Sequence, residues 1–495
     1  MLSLSDFVAK ASGITCHSGL VRPGYIFVAI RGRTADGNTF IPNAVAKGAM
    51  AIVTDCPDNL PRLDIPAFTV ADARLALSEL AAAFYSNPSH SLHLVGITGS
   101  NGKTTIACML EHIFSHAGFN TGLIGTIRVN TGRNSFPSTL TTPDAVSVQH
   151  YLAQMLDNKV THAAMEVSAQ GIDMKRVAHV RFSTGILTNV CADHLDFHNG
   201  FSNYLEAKTK FLDLMSPNTP LIVNIADPYC RTIANQFSGR LITMALDMPA
   251  TISARISRLT TYSSRFILEI NLPVSGIDGQ MIPPGKHLCK LSLPGRHNIE
   301  NATLAAAAAL IHGVRPEIII RALSEFKGVD RRMNVFHING LTVVDDTALN
   351  PGSIEAVFAT IASFRYKRLI IVNAIRGRRG PAINAANAAA FATQRRKTVF
   401  ELIITAGAGH VGEVDTVTDD ERLAFLNTLN TLKVNYTYTN TLPGAIQIAL
   451  TEAAPGDLIA LIGAQGMDSG RQVLTSLIRS QPTNLPSFDC AEQKT

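Results

Sequence analysis

Leu92-His93-Leu94-Val95-Gly96-Ile97-Thr98-Gly99-Ser100-Asn101-Gly102-Lys103-Thr104-Thr105 decides the reading of this chain. An apolar run, Leu92 to Ile97, predicts a buried strand, and the stretch from about Thr104 to Ala117 predicts a helix. Between them lies a turn with two glycines and a lysine. Glycines let backbone wrap closely around a phosphate, the helix start offers free N–H groups, and Lys103 adds a point charge. The wider spelling, with a glycine five positions before Gly102, is not met because position 97 is Ile. The match is to the variant Thr-Gly-x-x-Gly-Lys-Thr, with Thr104 placed to offer a hydroxyl to Mg²⁺.

Outward from this motif, apolar strands alternate with helical stretches. Ala163–Glu166, Thr184–Leu187 and Leu221–Val223 read as strands, and Asn298 to Ile311 and Pro316 to Phe326 as helices. That alternation predicts an α/β fold with a mostly parallel sheet. Ile252 to Leu293 shows shorter alternating segments and predicts an antiparallel annex. Before the motif, Tyr25–Ile30 and Ala49–Thr54 are strand candidates around a helix near Pro42 to Lys47. After Gly328, strands are expected at Leu341–Val344, Leu369–Val372, Leu402–Thr405 and Leu458–Ile462. The expected domains are therefore 1–88, 89–327 and 328–480, with a polar, disordered tail over 481–495. A chain of 495 residues is too long for one core.

Composition removes several function classes. Apolar residues are 46% and charged ones 16%, which is core-rich and globular. A net charge of +5 is too thinly spread for a nucleic-acid face, and Arg376, Arg378 and Arg379 suggest no more than local anion contacts. The seven cysteines are scattered without a C-x-x-C pair, as expected of thiols in a reducing compartment. Neither a secretory leader nor a run long enough to span a bilayer is present, so a cytoplasmic protein with no membrane partner is expected. The oligomeric state is not readable.

Three further stretches carry candidate chemistry. Glu166, in Met165-Glu166-Val167-Ser168, ends a predicted strand, and strand ends of open parallel sheets face the ligand crevice. A carboxylate there can meet a metal held by phosphates, or simply be solvated. Cys191-Ala192-Asp193-His194-Leu195-Asp196-Phe197-His198 invites a zinc reading, but no matching ligand cluster occurs elsewhere, and a Mg²⁺ or nucleotide contact from His194 is favoured. Gly407-Ala408-Gly409-His410-Val411-Gly412 spells the dinucleotide fingerprint, yet β-branched, irregular sequence follows it instead of a helix. A loop is preferred there, and an NAD-linked oxidoreductase stands only as a remote alternative.

Taken together, these residues resemble the Mur ligases, in particular the MurE-type branch that adds the third residue to a UDP-N-acetylmuramoyl dipeptide. The resemblance runs through all but the tail. Arg22–Gly32 and Asp36–Ile41 look like that family's UDP-substrate domain. Thr98–Thr105, Leu140–Asp144, Met165–Ser168, Thr188-Asn189, Asp193–Asp196 and Tyr204–Lys208 look like its central ATP domain, and Gly295–Ala302 its adenine-binding stretch. The family has three domains, a central P-loop-type parallel sheet and a Rossmann-like C-terminal domain. The resemblance implies an ATP-dependent ligase that converts a carboxylate to an acyl phosphate and couples it to an amine. It implies ATP and Mg²⁺ as cofactors. Gly99, Asn101, Gly102, Lys103, Thr104 and Thr105 would hold phosphates, and Asn298 and Asn301 adenine. Arg332 and Asp346 would reach the nucleotide from the last domain. Thr104 and Glu166 would hold one Mg²⁺, and His194 with a carbamylated Lys208 the second; Ser18, Thr141, Thr142, Ser168 and Arg176 would hold the muramoyl peptide.

The sequence departs from the family at several motifs, most of all at the amino-acid end. The family's Asp-Ser-Arg uridine motif reads His17-Ser18-Gly19, and Ser-Ser-His after the metal-site Glu reads Ser168-Ala169-Gln170. Asp-Tyr-Ala-His reads Asp346-Thr347-Ala348-Leu349. Asp-Asn-Pro-Arg, which recognises diaminopimelate, is replaced by Thr405–His410, and Gly-Lys-Gly-His-Glu by Ala464-Gln465-Gly466-Met467-Asp468. An active ligase with a different amine partner is the expectation, and a degenerate nucleotide- or peptide-binding relative the alternative.

Overall fold

The structure is a computed structural model that describes residues 4–32, 35–60, 62–191 and 200–480. The chain divides into two compact units, Met1–Val329 and Asp330–Thr495. In the first unit, Gly13–Thr15, Tyr25–Ala29, Ala51–Thr54 and Ala67–Thr69 form a small parallel sheet in chain order. The helix Ala73–Phe84 covers one side of it through Ala73, Ala76, Leu77 and Leu80, and the same cluster takes in Ala145 from the helix Ala145–Asp157.

The large sheet of this unit has eleven strands among the described residues. Its parallel centre runs Ile252–Leu259, Leu241–Leu246, Leu221–Asn224, Thr184–Leu187, His93–Thr98, His162–Glu166 and Thr121–Ile124. The strand before the glycine turn, His93–Thr98, is thus interior, and its backbone is paired on both sides. Such a strand must be apolar throughout, which is why its signal is a continuous run and not an alternation. The helices Lys103–His116, Arg296–Ile311 and Pro316–Glu325 share one buried cluster with this sheet.

The β-rich stretch after Ile252 is not a separate annex. Ile252–Leu259 joins the central sheet in parallel, and Ser264–Ile270 and Gly285–Leu291 extend the same sheet antiparallel; only Val274–Ser275 and Met281–Ile282 pair apart from it. At the other edge lie Arg128–Asn130 and Ser135–Pro137, short antiparallel strands with little apolar pattern to announce them.

The second unit is a six-stranded sheet ordered Asn334–Ile338, Leu341–Asp346, Leu458–Ile462, Leu369–Ala374, Glu401–Ala408, Thr437–Thr441, parallel except for its first strand. Pro351–Ile361, Pro381–Arg395 and Asp419–Thr431 cover one face, and Leu442–Glu452 and Gly470–Ser480 the other. The Gly407–Gly412 stretch opens no helix: a short turn, Glu413–Asp415, follows, and the next helix starts at Asp419. Geometry therefore removes the dinucleotide fingerprint. The tail from Gln481 lies outside the described residues.

Three histidines meet where the central strands of the first unit begin. His93 and His162 are cross-strand neighbours with ring centroids 4.7 Å apart, and His312 is 5.6 Å from His162. Burial pushes the His162 pKa down to about 4, with the neighbouring His93 adding to it, and holds His312 well below its ordinary value. Both rings are therefore neutral in the fold, whereas the unfolded chain takes up protons near its ordinary pKa. The contribution of His162 to stability is complete above about pH 6.5 and is lost as pH falls toward 4, and that of His312 is lost in the same direction. Lowering the pH from 7.5 to 5 should cost about 2 kcal/mol through His162 alone. Urea midpoints at the two pH values check this. His162→Phe, which preserves the stack on Phe119, should show a smaller difference.

Candidate functional site: the phosphate loop and its neighbours

The loop between His93–Thr98 and Lys103–His116 is shaped by two glycines and held by close contacts from Thr188 and Asn189. Gly99 has φ +143°, and a Cβ there would lie 1.8 Å from the Thr188 hydroxyl. Gly102 has φ +88°, and its Cβ would lie 2.4 Å from the Asn301 side-chain oxygen. Asn189 clasps the turn between them. Its side chain accepts the Asn101 N–H at 2.9 Å, its carbonyl accepts the Ser100 N–H at 2.8 Å, and Thr188 Oγ1 donates to the Asn101 carbonyl at 2.7 Å. Lys103 Nζ lies back over the loop, donating to the carbonyls of Gly99 (2.8 Å) and Ser100 (2.9 Å).

Beside the loop, Glu166 ends its strand almost wholly buried. Its carboxylate accepts the Thr104 hydroxyl at 2.9 Å, the Thr126 N–H at 2.7 Å and the Thr126 hydroxyl at 3.0 Å. Thr126 Oγ1 is in turn 3.1 Å from Thr141 Oγ1. This pocket of carboxylate and hydroxyl oxygens, without nitrogen or sulfur donors, suits a hard divalent cation such as Mg²⁺. A solvated Glu166 is excluded by its burial.

Thr142 continues the arrangement. Its hydroxyl donates to the Glu166 carbonyl and accepts the Ser168 N–H at 2.9 Å, while Arg176 donates to the Thr142 carbonyl at 2.8 Å. Burial lowers the Arg176 pKa, opposed by Asp144 and Cys16. The Cys16 thiol is pushed up to about 11, by burial first and Asp144 second. The end of the small sheet therefore reaches this cluster, and Ser18 sits in the turn Ser18–Leu20 just beyond, where the carbonyls of Ser18 and Gly19 accept Lys47 Nζ.

Lys208 is nearly fully buried on the helix Phe201–Thr209, with Nζ 4.7 Å from the centre of the Tyr204 ring. Asn298 and Asn301 are buried in the first turns of Arg296–Ile311; Asn298 donates to the Pro294 carbonyl, and Asn301 faces Gly102. Thr105 is buried in the first turn of its helix. His194 lies outside the described residues. In the second unit, burial lifts the Asp346 pKa to about 6 against the pull of Arg332, and its carboxylate accepts the Met333 N–H at 2.7 Å.

Sequence reasoning missed Thr126 and Asp144. Thr126 follows the short strand Thr121–Ile124 across Gly125, and a hydroxyl just past a parallel strand end was the signal available. Asp144 caps the helix Ala145–Asp157, accepting the N–H groups of Val146 and Ser147.

Comparison with known proteins supplies the family. Three family descriptions match the chain in order: the Mur ligase family catalytic domain over residues 10–85, the Mur ligase middle domain over 97–309, and the Mur ligase glutamate ligase domain over 331–465. A UDP-N-acetylmuramoyl-L-alanyl-D-glutamate–2,6-diaminopimelate ligase of Geobacter metallireducens is 32% identical over 371 residues, covering 73% of this chain and 70% of that protein. The chain belongs to the Mur ligase family. Its relatives place it with the MurE-type members, and it is an ATP-dependent amide ligase. A ligase of the same name from Alkaliphilus metalliredigens is 29% identical over 472 residues, 92% of this chain and 89% of that one. Among solved structures, MurF of Acinetobacter baumannii matches with TM-score 0.67 at 21% identity over 94% of this chain and 93% of its own. MurF of Thermotoga maritima in complex with ADP matches with TM-score 0.66 at 18% identity over 96% of this chain and 100% of its own. These two likenesses establish the Mur ligase fold. No described helix is long and apolar enough to cross a membrane.

The loop's sterics yield a direct test. Gly102→Ala forces a Cβ into a left-handed conformation, costing about 1–2 kcal/mol, and against Asn301. ADP affinity measured by calorimetry should fall about tenfold or more, with the far-UV circular dichroism unchanged. Unaltered affinity would show that the loop does not meet phosphates.

Proposed function

We propose that this ligase activates the terminal carboxylate of a UDP-N-acetylmuramoyl peptide, or of a related donor, and couples it in the cytoplasm to an amine other than diaminopimelate. The observation that carries the reading is the Thr104–Glu166 pair beside a glycine loop ending in Lys103. A carboxylate oxygen attacks the γ-phosphorus of ATP and ADP leaves. The amine nitrogen then attacks the acyl carbon, inorganic phosphate leaves with the former carboxylate oxygen, and the nitrogen loses a proton. Both steps need charge neutralisation and alignment more than covalent help.

In this reading Gly99, Asn101, Gly102, Lys103, Thr104 and Thr105 cradle the phosphates, and Lys103 exchanges two backbone carbonyls for phosphate oxygens. Asn298 and Asn301 are assigned to adenine, and Arg332 and Asp346 to the nucleotide. Thr104 and Glu166 would hold Mg²⁺, which when bound spreads the negative charge of the phosphates. Lys208 reacts with CO₂ to give a carbamate and a released proton, and with His194 would form a second cation site; an ammonium could not. Thr141, Thr142, Ser168, Arg176 and Ser18 position the peptide donor. Residues 1–88, 89–327 and 328–480 are assigned to donor, nucleotide and amine respectively.

The amine end is where this chain stands apart. In the segment that replaces Asp-Asn-Pro-Arg, Gly407 packs against the backbone of Gly466, with no arginine in place. Asp468 is bridged by Arg331, which also binds Asp345. Arg379 is paired with Asp415, and Arg376 is buried and donates to the Leu349 carbonyl. A second carboxylate on the amine thus lacks the arginine of Asp-Asn-Pro-Arg, and of the three arginines at 376, 378 and 379 it would meet Arg378 alone, on an exposed turn.

Two measurements test this. Lys208→Ala should lose turnover and regain part of it when a short carboxylic acid is added to stand in for the carbamate; a fully active alanine variant rules the role out. Comparison of kcat/KM should show diaminopimelate used about ten- to a hundredfold less well than lysine, alanine or simple amines. A clear preference for diaminopimelate would sink the assignment of the amine.

A further inference from the structure

Ser100 is linked to two lysines that the proposed reaction uses separately, to Lys103 directly and to Lys208 through Tyr204. Its carbonyl accepts Lys103 Nζ at 2.9 Å. Its hydroxyl donates to the Cys191 carbonyl at 3.0 Å and accepts the Cys191 N–H at 2.9 Å. A serine hydroxyl carries a single hydrogen, and here that hydrogen is committed to Cys191. The 2.8 Å contact between Ser100 Oγ and the Tyr204 phenol therefore has the phenol as donor.

Tyr204 is 1% exposed and lies one helical turn before Lys208. At that spacing two side chains share a helix face, and the Lys208 ammonium rests over the ring. One side chain thus holds the phosphate loop through its hydroxyl and carries Lys208 on its face.

We infer that Tyr204 is a positioning residue that anchors the Ser100 segment of the phosphate loop while Lys103 moves to the nucleotide, and that aligns Lys208 with the same loop. The inference rests on the ligase reading. When Lys103 leaves the Gly99 and Ser100 carbonyls, the loop loses the contact that closes it on the nucleotide side. The Tyr204–Ser100 bond lies on the buried side and stays, so the loop does not follow the lysine. The ring also discriminates between forms of Lys208. Its negative face attracts an ammonium and offers nothing to an anion, so the bare lysine is held on Tyr204 more firmly than its carbamate.

The test is ADP binding by calorimetry on the full chain, with ATP kinetics alongside. Tyr204→Phe keeps the ring and removes the donor. Its ADP Kd should rise about five- to tenfold, with KM for ATP rising by a similar factor and kcat changing less than about twofold. Ser100→Ala should lose at least as much, because it also gives up the Cys191 contacts. The double variant should be no weaker than Ser100→Ala, since both substitutions remove one shared bond. Wild-type ADP affinity in Tyr204→Phe, or losses that add in the double variant, would overturn the inference. A wild-type chain that binds no ADP would overturn the ligase reading itself, and this inference with it.

Discussion

A carboxylate buried at the end of an interior strand must find hydrogen-bond donors or become too costly to keep there, and Glu166 finds three on two threonines. The rest of the nucleotide end follows from that requirement. Thr104 can reach Glu166 only if the helix Lys103–His116 starts where it does. That start requires the chain to turn through Gly99 and Gly102 in conformations that side chains rarely adopt. Thr126 can reach it only because Thr121–Ile124 pairs in parallel beside His162–Glu166. Displacing any one of these elements would strand a buried charge.

The second unit is organised differently. Loops after Leu369–Ala374 and Glu401–Ala408 are held by side-chain carboxylates: Glu421 accepts the N–H groups of Arg378, Arg379 and Gly380, and Asp415 pairs with Arg379. These backbone N–H groups form an anion-binding concavity that the protein fills with its own carboxylate. Such loops can change residues without disturbing the strands beneath, since a strand needs only apolar side chains. The phosphate loop is fixed by sterics and a buried carboxylate, and these loops of the second unit by exchangeable contacts.

The same contrast explains what was legible in the sequence. Interior parallel strands such as Leu458–Ile462 are continuous apolar runs and were read to the residue, as was Thr184–Leu187. Edge strands such as Thr437–Thr441 are polar and half-exposed, with no apolar pattern, and could not be read. Ile252 to Leu293 reads as an antiparallel annex, and its hairpin pairings are antiparallel; its membership of the main sheet depends on the parallel pairing of Ile252–Leu259 with Leu241–Leu246, a long-range contact with no local sign. At the site, the glycines, Lys103, Thr104 and Glu166 were visible because chemistry dictates residue type and spacing. Thr126 and the Tyr204–Ser100 bond were not, because a threonine or tyrosine in sequence does not reveal what it will face.

The alanine run Ala305–Ala309 shows how packing serves chemistry at a distance. A helix that is apolar all round, as Arg296–Ile311 is through its middle, has to be buried on every side. Small side chains let it lie close to its neighbours, and it shares one core with Lys103–His116 and the central strands. That close approach brings the first turn of Arg296–Ile311 against the phosphate loop, so that the Asn301 amide oxygen occupies the space a Cβ on Gly102 would need. Glycine at 102 and alanines at 305–309 are therefore one constraint expressed twice: the first lets the loop turn beneath Asn301, and the second lets the helix carry Asn301 that near. Bulkier residues in the alanine run would push Asn301 off the loop without touching a single site residue.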